Sequence, residues 1–372
     1  MQGKKISLVL TMMVAVLFIA SIPVCISTDE VAASEIKVTD GLGNEFVFDD
    51  IPKKIVTMGK GFTSTAIELG QLDKIMVADS YSATDSDPIF DGLKEKIANG
   101  EVLADSSGYG STLNLLVPNV AYMVDYYDLR NSEIAIFIAG SATFLKEANE
   151  ALKKYGFNNV LCWYSVKNYE DVINFVETFS KVTTGTITDA ASQMRGVAQY
   201  IDETLSEKTD FVKREAFAVT YSSNDFKIYS AGSISDSMIH AAGGISISDN
   251  PNSGTTSYGN KADVLNLVAE YGTDVVIFVD NSVISKGLLS DLRDAVGSDV
   301  KLVHLDPLWN NFGIRCMDGV WAMACAMYPD TFSGDVPELS DDSDDNNVVL
   351  YVTIGVVSAL VVGLIAFFFI KK

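Results

Sequence analysis

The sequence predicts an α/β protein of two lobes, each with a central and mostly parallel sheet flanked by helices. One long helix joins the lobes, and a transmembrane helix follows at the C-terminus. Three observations support this prediction. Short apolar runs alternate with helical stretches in each half of the chain, which is typical of parallel sheets covered on both faces. A long amphipathic stretch without a Gly/Ser linker separates the halves, and an uncharged apolar run lies near the C-terminus.

Residues 35–181 are predicted to form the N-terminal lobe. The opening segment IKVTDGLGNEFVFDD has the pattern of a hairpin that turns at residues 41–43. The apolar segment 132–140 fits a strand or the start of a helix equally well. Elsewhere we predict strands at residues 55–58, 74–78, 120–124 and 160–163, and helices at 63–69, 89–98, 112–116 and 142–155.

The middle of the chain is predicted to be helical, with an inter-lobe helix at residues 182–209. Asn168 and Asp171 resemble a capping pair that opens a preceding helix at 169–181. We expect a rigid connection with little hinge motion, because no flexible linker flanks the long helix. The apolar face of that helix consists of Ala191, Met194, Val197, Ala198, Ile201 and Leu205.

Residues 210–332 are predicted to form the C-terminal lobe, because the alternation of strands and helices resumes there. The predicted strands are residues 217–221, 275–279 and 302–305, and the predicted helices are 235–242, 263–271, 288–296 and 314–327.

Both chain ends carry targeting patterns. Residues 1–33 resemble a signal peptide, with Lys4 and Lys5 before an apolar stretch. Residues 333–347 are acidic and are expected to form a disordered stalk. Residues 348–370 lack charge and, as a helix, would span roughly 34 Å, enough to cross a bilayer. Two lysines follow this run, so we expect a single-pass plasma-membrane protein with its body outside and a short cytoplasmic C-terminus.

The net charge, one glycine-rich motif and the cysteines argue against three classes: nucleic-acid binding, phosphate-loop and disulfide-rich proteins. A net charge of −22 over 372 residues argues against nucleic acid, whose phosphates would be repelled. The stretch Gly59-Lys60-Gly61 lacks the earlier glycine and the following Ser or Thr of a phosphate-binding loop. Cys162, Cys316 and Cys325 are expected to be small core residues rather than a disulfide framework.

Three segments together resemble the cobalamin and ferric-siderophore substrate-binding proteins of ABC importers, in a membrane-anchored form. They are the opening DGLGNEFVFDDIPKKIVTMGKGFTSTAIELGQLDKIMVADSY, the helix IYSAGSISDSMIHAAGGISIS and the final helix LWNNFGIRCMDGVWAMACAMYPDTF. The resemblance runs from about residue 36 to residue 332 in the expected order. It implies a monomeric, non-enzymatic binding protein without a cofactor. Such a protein would capture an iron chelate or a corrinoid between its lobes and deliver it to a permease with a cytoplasmic ATPase.

The ligand-binding residues are predicted from the rule that ligands of open α/β sheets bind beyond the carboxyl ends of the strands. Lys60 and Phe62 follow the first strand, where the neighbouring glycines would permit close approach of a bulky ligand. Rigid aromatic faces suit a large or partly apolar ligand, although aromatic residues at strand ends also cap cores. The predicted aromatic contacts are Tyr81, Tyr126, Tyr127, Trp163, Tyr164, Tyr221, Tyr258 and Trp309.

The predicted permease-docking residues depart from the family pattern, and the sequence does not decide which ligand is bound. The resemblance implies a docking carboxylate in each lobe, but Ser111 stands at the first position and Asp263 is the nearest candidate at the second. Corrinoid, hydroxamate or other iron chelate, and haem all remain possible ligands. Scarcity of arginine favours a corrinoid or a neutral hydroxamate over an anionic chelate.

Three other function classes are weighed against the binder. A zinc or manganese receptor needs several converging histidines and carboxylates, and the chain has only His240 and His304. A serine hydrolase needs a Gly-x-Ser-x-Gly elbow, which SAGSISD does not complete. An adhesive or sensory surface protein would account for a stalk and an anchor but not for a cleft between two lobes.

Overall fold

The computed structural model describes residues 35–106, 115–164, 168–248 and 257–337. The predicted signal peptide at 1–33, the predicted anchor at 348–370 and most of the acidic segment 333–347 lie outside the described residues, as does Ser111. Within the described ranges, no helix is long and apolar enough to cross a membrane.

The first half of the chain forms a hairpin followed by a parallel sheet. Strands β3 to β7 of the described residues form a five-stranded parallel sheet in the order β5-β4-β3-β6-β7, so the predicted α/β class with a parallel sheet is confirmed. The elements are β1 (Ile36–Thr39), β2 (Glu45–Phe48), β3 (Lys54–Met58), α1 (Lys60–Glu68), β4 (Ile75–Asp79), α2 (Ser80–Thr84), α3 (Asp91–Ala98), β5 (Leu103–Asp105), α4 (Leu116–Tyr126), β6 (Ile134–Gly140), α5 (Ala142–Lys154) and β7 (Val160–Tyr164).

One predicted strand is wrong. Residues 120–124 belong to helix α4, and the neighbouring segment 132–140 supplies strand β6 instead. The buried positions of α4 include Leu116, Val120 and Met123, which recur at helical spacing. A short apolar run cannot be assigned by its hydrophobicity alone, and the helical period becomes visible only over the longer window.

Helices cover both faces of the first sheet. Val56 and Ile136 point to one face and share a buried cluster with residues of α4 and α5. Ile55, Phe137 and Leu161 point to the other face and belong to a second cluster that includes residues of α1. Because successive strand residues alternate between faces, a sheet covered on both sides reads as the continuous apolar runs seen in this sequence.

Two helices connect the halves, namely α6 (Tyr169–Thr184) and α7 (Asp189–Ser206). The Asp171 backbone N–H donates to the Asn168 side chain at 2.8 Å, which confirms the predicted cap of α6. Helix α6 ends at Gly185, whose φ of 83° lies in the left-handed region that favours glycine. The buried residues of α7 are Ala191, Met194, Val197, Ile201 and Leu205.

The second half contains a mixed sheet. Among the described strands the order is β11-β9-β8-β12-β13, with β10 beside the start of β8. Strands β8, β12 and β13 are parallel, whereas β9 and β11 run antiparallel to their neighbours. The elements are β8 (Glu215–Ser222), β9 (Asp225–Tyr229), α8 (Ile234–Ala241), β10 (Ile245–Ser246), β11 (Ser257–Tyr258), α9 (Lys261–Tyr271), β12 (Val276–Val279), α10 (Asn281–Ser285), α11 (Leu289–Val296), β13 (Lys301–His304) and α12 (Cys316–Met327).

Strand β9 was not predicted. It forms a hairpin with β8 through the two-residue turn Ser223-Asn224, whose φ values of 52° and 62° are both positive. Two consecutive positive φ angles match the two-residue hairpin turns that suit the twist of the strands. The sequence signal is therefore the polar pair between two apolar runs.

A single hydrophobic cluster extends across both halves. It includes Ile55 and Phe137 of the first sheet, Val176 of α6, Met194 of α7 and Phe278 of the second sheet. Cys162 and Cys316 are buried and Cys325 is partly buried, each as a free thiol. The connecting helices are thus core elements with buried faces on both sides of the junction.

Trp163→Ala should lower the free energy of unfolding by about 3–5 kcal/mol, the range for truncating a buried large aromatic. The Trp163 indole is 4% exposed and packs edge-on against Phe62 and Phe175. Chemical denaturation followed by circular dichroism measures the change. The matched control is Tyr164→Ala, one residue further along β7 and 46% exposed, which should change stability by less than about 0.5 kcal/mol. Equal losses in both variants would contradict this packing.

Candidate ligand-binding site

Helix α1 begins immediately after strand β3, at the stretch that contains Gly59 and Lys60. Gly59 is the N-cap residue with a φ of 151°, and Lys60 is already the first helical residue. The helix therefore starts three residues before the predicted bound at residue 63, and Lys60 projects from the first turn of α1. Helix α1 also contains no acidic residue in its first turn, so the lysine lies at the positive end of the helix dipole and its counter-charge has to come from outside the helix.

A cavity of about 560 Å³ lies beyond the carboxyl ends of β3 and β4, within the usual volume range of small-molecule sites. Its wall from the first half comes from α1, α2 and the segment that follows α2, and its wall from the second half comes from the segment after β13. Residues from both halves thus meet at the strand edge where α/β proteins bind ligands. The lining residues are Lys60, Tyr81, Thr84, Asp85, Ser86 and Asn311.

An ion pair occupies one side of the cavity. Lys60 Nζ contacts Asp85 Oδ2, with side chains that are 13% and 20% exposed. The other oxygen, Asp85 Oδ1, accepts the Asp87 backbone N–H at 2.8 Å. Burial alone would raise the pKa of Asp85, but the hydrogen bonds from Lys60 and from Asp87 hold it below its ordinary value. The carboxylate therefore stays charged beside the ammonium group.

A buried polar network lies at the base of this wall. Asp79, the last residue of β4, is 1% exposed and caps α2 by accepting the Ser82 backbone N–H at 2.9 Å. Its Oδ2 accepts the Ser82 hydroxyl at 2.7 Å and the Thr63 hydroxyl at 2.9 Å. Burial raises the pKa of the Asp79 carboxyl above its ordinary value, against the hydrogen bonds from Ser82 and Thr63. The network holds α2, and with it Tyr81 and Thr84, against α1.

A second strand-end aspartate holds the opposite wall. Asp280, which follows β12, caps α10 by accepting the Ser282 backbone N–H at 2.8 Å. Its Oδ2 accepts from the Tyr229 hydroxyl at 3.0 Å and from Asn310 Nδ2 at 3.1 Å. Burial and the neighbouring Asp280 charge raise the pKa of Tyr229, so the phenol remains a donor. Asn310 is adjacent to the cavity residue Asn311, whose Nδ2 donates to the Pro307 carbonyl at 2.7 Å.

The two walls meet in a close backbone approach. A Cβ atom at position 61 would lie 1.5 Å from the Asn311 carbonyl oxygen, and one at position 313 would lie 2.8 Å from the Gly61 carbonyl oxygen. Arg315 Nε donates to Glu68 Oε1 at 2.5 Å across the same junction. Gly61 is therefore needed so that the second half can approach α1, and not for ligand access as the sequence suggested.

Two predicted ligand contacts are core residues. Phe62 is 1% exposed and stacks on Phe175 with ring centroids 4.1 Å apart. Trp163 packs against the same two rings. Neither side chain lines the cavity, for a simple reason. Phe62 points from the buried side of α1 onto the sheet, and Trp163 belongs to the sheet face that α6 covers.

Tyr126 and Tyr127 lie at the wrong edge of the sheet. The Tyr127 hydroxyl donates to the carbonyl of Glu101, just before β5, and its ring lies 4.0 Å from Lys54 Nζ at the start of β3. Tyr126 contacts the Tyr127 ring edge-on. These contacts place the pair at the amino ends of the strands, opposite the cavity. The error follows from assigning α4 as a strand.

The remaining predicted contacts do not line the cavity. Tyr164 is largely exposed at the end of β7, the Tyr221 ring lies 4.8 Å from Lys286 Nζ, and Tyr258 packs beside the core of the second sheet. Trp309 packs close to Gly319 on α12. Of the predicted ligand-binding set, the structure brings only Lys60 and Tyr81 together.

Asp263 caps its own helix, and neither His240 nor His304 lines the cavity. The Asn260 backbone N–H donates to Asp263 Oδ2 at 2.8 Å in a capping box that opens α9. The exposed His240 side chain on α8 has its Nε2 atom 3.9 Å from Asp236 Oδ1. In the described part of the chain, no group of His, Cys, Asp and Glu residues has the arrangement of a metal site.

Four cavity residues were missed, namely Thr84, Asp85, Ser86 and Asn311. The first three follow Tyr81 in the segment YSATDSD, where polar residues after a strand end are a usable signal. Asn311 gave no local signal, because its position depends on how the two halves meet.

Gly61→Ala should lower the free energy of unfolding by about 1–3 kcal/mol, as overpacking of a closed contact does. The new methyl group meets a backbone carbonyl, which cannot move without separating the two halves. Equilibrium denaturation is the measurement. Gly92→Ala on α3 is the control, since the nearest atom there is the flexible end of Leu72 at 2.9 Å. A Gly61→Ala protein as stable as the wild type would rule out the close approach.

Asp79→Asn should become more stable relative to the wild type as the pH rises above about 4. A carboxyl whose folded-state pKa exceeds its unfolded value of about 3.9 binds more protons when folded, so its contribution falls as the pH rises through that interval. The amide does not titrate and still accepts the Ser82 N–H. The free energies of unfolding of both proteins across this pH range test it, and a constant difference would contradict the raised pKa.

No protein-family model matches the sequence, and comparison with curated proteins gives no match either. Solved structures do match. Helicobacter pylori CeuE with Ni(II) bound has 16% sequence identity and a TM-score of 0.56, with 80% of this chain and 90% of that chain covered. The vitamin B12 binding protein BtuF of Vibrio cholerae has 16% identity and a TM-score of 0.51, with coverages of 75% and 98%.

A periplasmic heme binding protein from Pseudomonas aeruginosa is similar over 78% of this chain and 98% of its own length, with 18% identity and a TM-score of 0.52. The last two are named as binding proteins, and the first is described with Ni(II) bound. At such identities the likeness concerns the fold. The chain therefore has the fold of the cobalamin and siderophore type of periplasmic binding protein, as the sequence resemblance implied.

Proposed function

We propose that this protein is the substrate-binding component of an ABC importer, which captures a metal chelate or a corrinoid and delivers it to a permease. The observation that carries this proposal is the cavity between the two halves, at the carboxyl ends of the parallel strands. The shared fold with proteins whose names state heme, vitamin B12 or Ni(II) binding supports it.

The lining supports binding rather than catalysis. It combines one aromatic face, Tyr81, with hydroxyl and amide groups from Thr84, Ser86 and Asn311. Such a mixture of an apolar surface and a few polar groups orients a small molecule. An iron siderophore, a corrinoid and haem are the ligand classes to test, and no enzymatic reaction is proposed.

Localisation and partners form part of the proposal. Residues 1–33 would direct export, and residues 348–370 would hold a monomeric protein in the plasma membrane with its body outside. The acidic segment 333–347 would serve as the stalk. Docking on the permease would involve the face that carries Asp263, without a matching carboxylate at Ser111.

Tyr81→Ala should weaken ligand binding by about thirtyfold, since truncating an aromatic anchor commonly costs about 2 kcal/mol. Tyr81 is 52% exposed at the cavity wall. The measurement titrates the full-length chain with ferric siderophores, cyanocobalamin and haemin and follows tryptophan fluorescence.

The control is Tyr155→Ala, an equally large and 62% exposed tyrosine at the end of α5, which should bind as the wild type does. If none of the three probe classes binds the wild-type protein, the proposed function is wrong. If a probe binds and Tyr81→Ala leaves its affinity unchanged, the ligand occupies another site.

A further inference from the structure

The charges of the described residues that line the cavity balance each other. Among its described lining residues, Lys60 and Asp85 are the charged ones, and they contact each other. Tyr81, Thr84, Ser86 and Asn311 contribute neutral groups. The described part of the wall therefore presents no net charge to a ligand.

Lys60 is not available to a ligand anion at low cost. Its ammonium group lies 6.0 Å from the centre of the buried Phe90 ring as well as against Asp85. Asp85 is held in place by the Asp87 backbone N–H. If Lys60 turned toward an anionic ligand, a largely buried carboxylate would lose its partner, which is strongly unfavourable.

Among the described residues around the cavity, the other cations near the wall are also paired. Lys94, whose charge acts on Asp85, contacts Asp91 at 2.9 Å. The Arg315 guanidinium, at the same junction, is shared by Glu68 and Asp318 at 2.5 and 3.4 Å. Asp79 lies buried at the base of the wall and Asp280 lies behind Asn310. The whole chain has a net charge of −22, which repels anions at a distance. The pairing of nearby cations and the negative net charge of the chain therefore both disfavour an anionic ligand.

We propose that the cavity selects ligands without net negative charge, meaning neutral or cationic metal chelates or corrinoids, and that the Lys60–Asp85 pair is the selectivity element. This inference rests on the proposed function, because it assumes that the cavity is the site of ligand capture. It names the ligand class by charge, which the fold does not determine.

The experiment uses matched probes that differ mainly in the charge of their pendant groups. One set is the ferric complex of desferrioxamine B, a cation, with its neutral N-acetyl and anionic N-succinyl derivatives. The second is cyanocobalamin, which is neutral, with one of its anionic monocarboxylic acids. The third is haemin with its dimethyl ester. We expect the full-length protein to bind the neutral or cationic member of at least one set at least about tenfold more tightly than the anionic member.

Charge variants then connect the preference to the pair. Asp85→Asn leaves the Lys60 charge uncompensated and should reduce the preference against the anionic probe by about tenfold. Lys60→Met leaves the Asp85 charge uncompensated and should increase the preference against the anionic probe. The double variant restores neutrality and should return the preference toward the wild-type value. Lys60→Arg keeps the pair and is the conservative control, and thermal melts verify that every variant is folded.

The outcomes separate the two proposals. Tighter binding of the anionic member in the set that binds would overturn the charge selectivity while leaving the proposed function intact. An unchanged preference in folded Asp85→Asn and Lys60→Met would also overturn it, since the pair would then not set the selectivity. Failure of every probe in all three sets would overturn the proposed function, and the inference with it.

Discussion

The hydrophobic cluster shared by both sheets through α6 and α7 is the interaction on which the rest of the structure depends. It runs from Phe137 of the first sheet through Val176 and Met194 of the connecting helices to Phe278 of the second sheet. Burial of apolar surface is the main stabilising term in a fold of this kind. Because the same cluster anchors both halves, a shift of one half against the other would expose part of its own core.

That shared core explains why a close backbone approach can exist at the cavity. The Gly61 and Gly313 segments meet because the cores behind them hold the two walls at a set distance, and the Arg315–Glu68 ion pair spans the same junction. Half-exposed ion pairs stabilise folded proteins only modestly. The packing of the shared core therefore determines the distance between the two walls, and the ion pair adds little to it. The strand-end caps Asp79 and Asp280 then position the residues that face the cavity.

Much of the architecture could be predicted from local pattern, and much of the site could not. The capping pair of α6 and the apolar face of α7 are visible in the sequence because capping and periodicity act within one or two helical turns. Trp163 and Phe62 looked like ligand contacts because a strand end does not reveal which sheet face a neighbouring helix covers. Asn311 reaches the cavity only through the packing of two halves that are distant in sequence. The cavity thus depends on contacts between residues that are distant in sequence, whereas the helices and strands around it depend on patterns between near neighbours.

The Gly59-Lys60 pair, which lacks the rest of a phosphate-binding loop, has a different physical meaning in the folded chain. A lysine at the start of a helix adds positive charge where the backbone dipole is already positive, and such an arrangement attracts an anion. In this protein the anion beside Lys60 is the chain's own Asp85, held by the Asp87 backbone N–H. Since the attraction is satisfied internally, the proposed discrimination against anions rests on the Lys60–Asp85 pair. The neutral wall groups and the shape of the space between the two halves are left to distinguish among ligands of the same charge. The chain in this way keeps a lysine at the cavity wall with its charge paired by a carboxylate of the same wall.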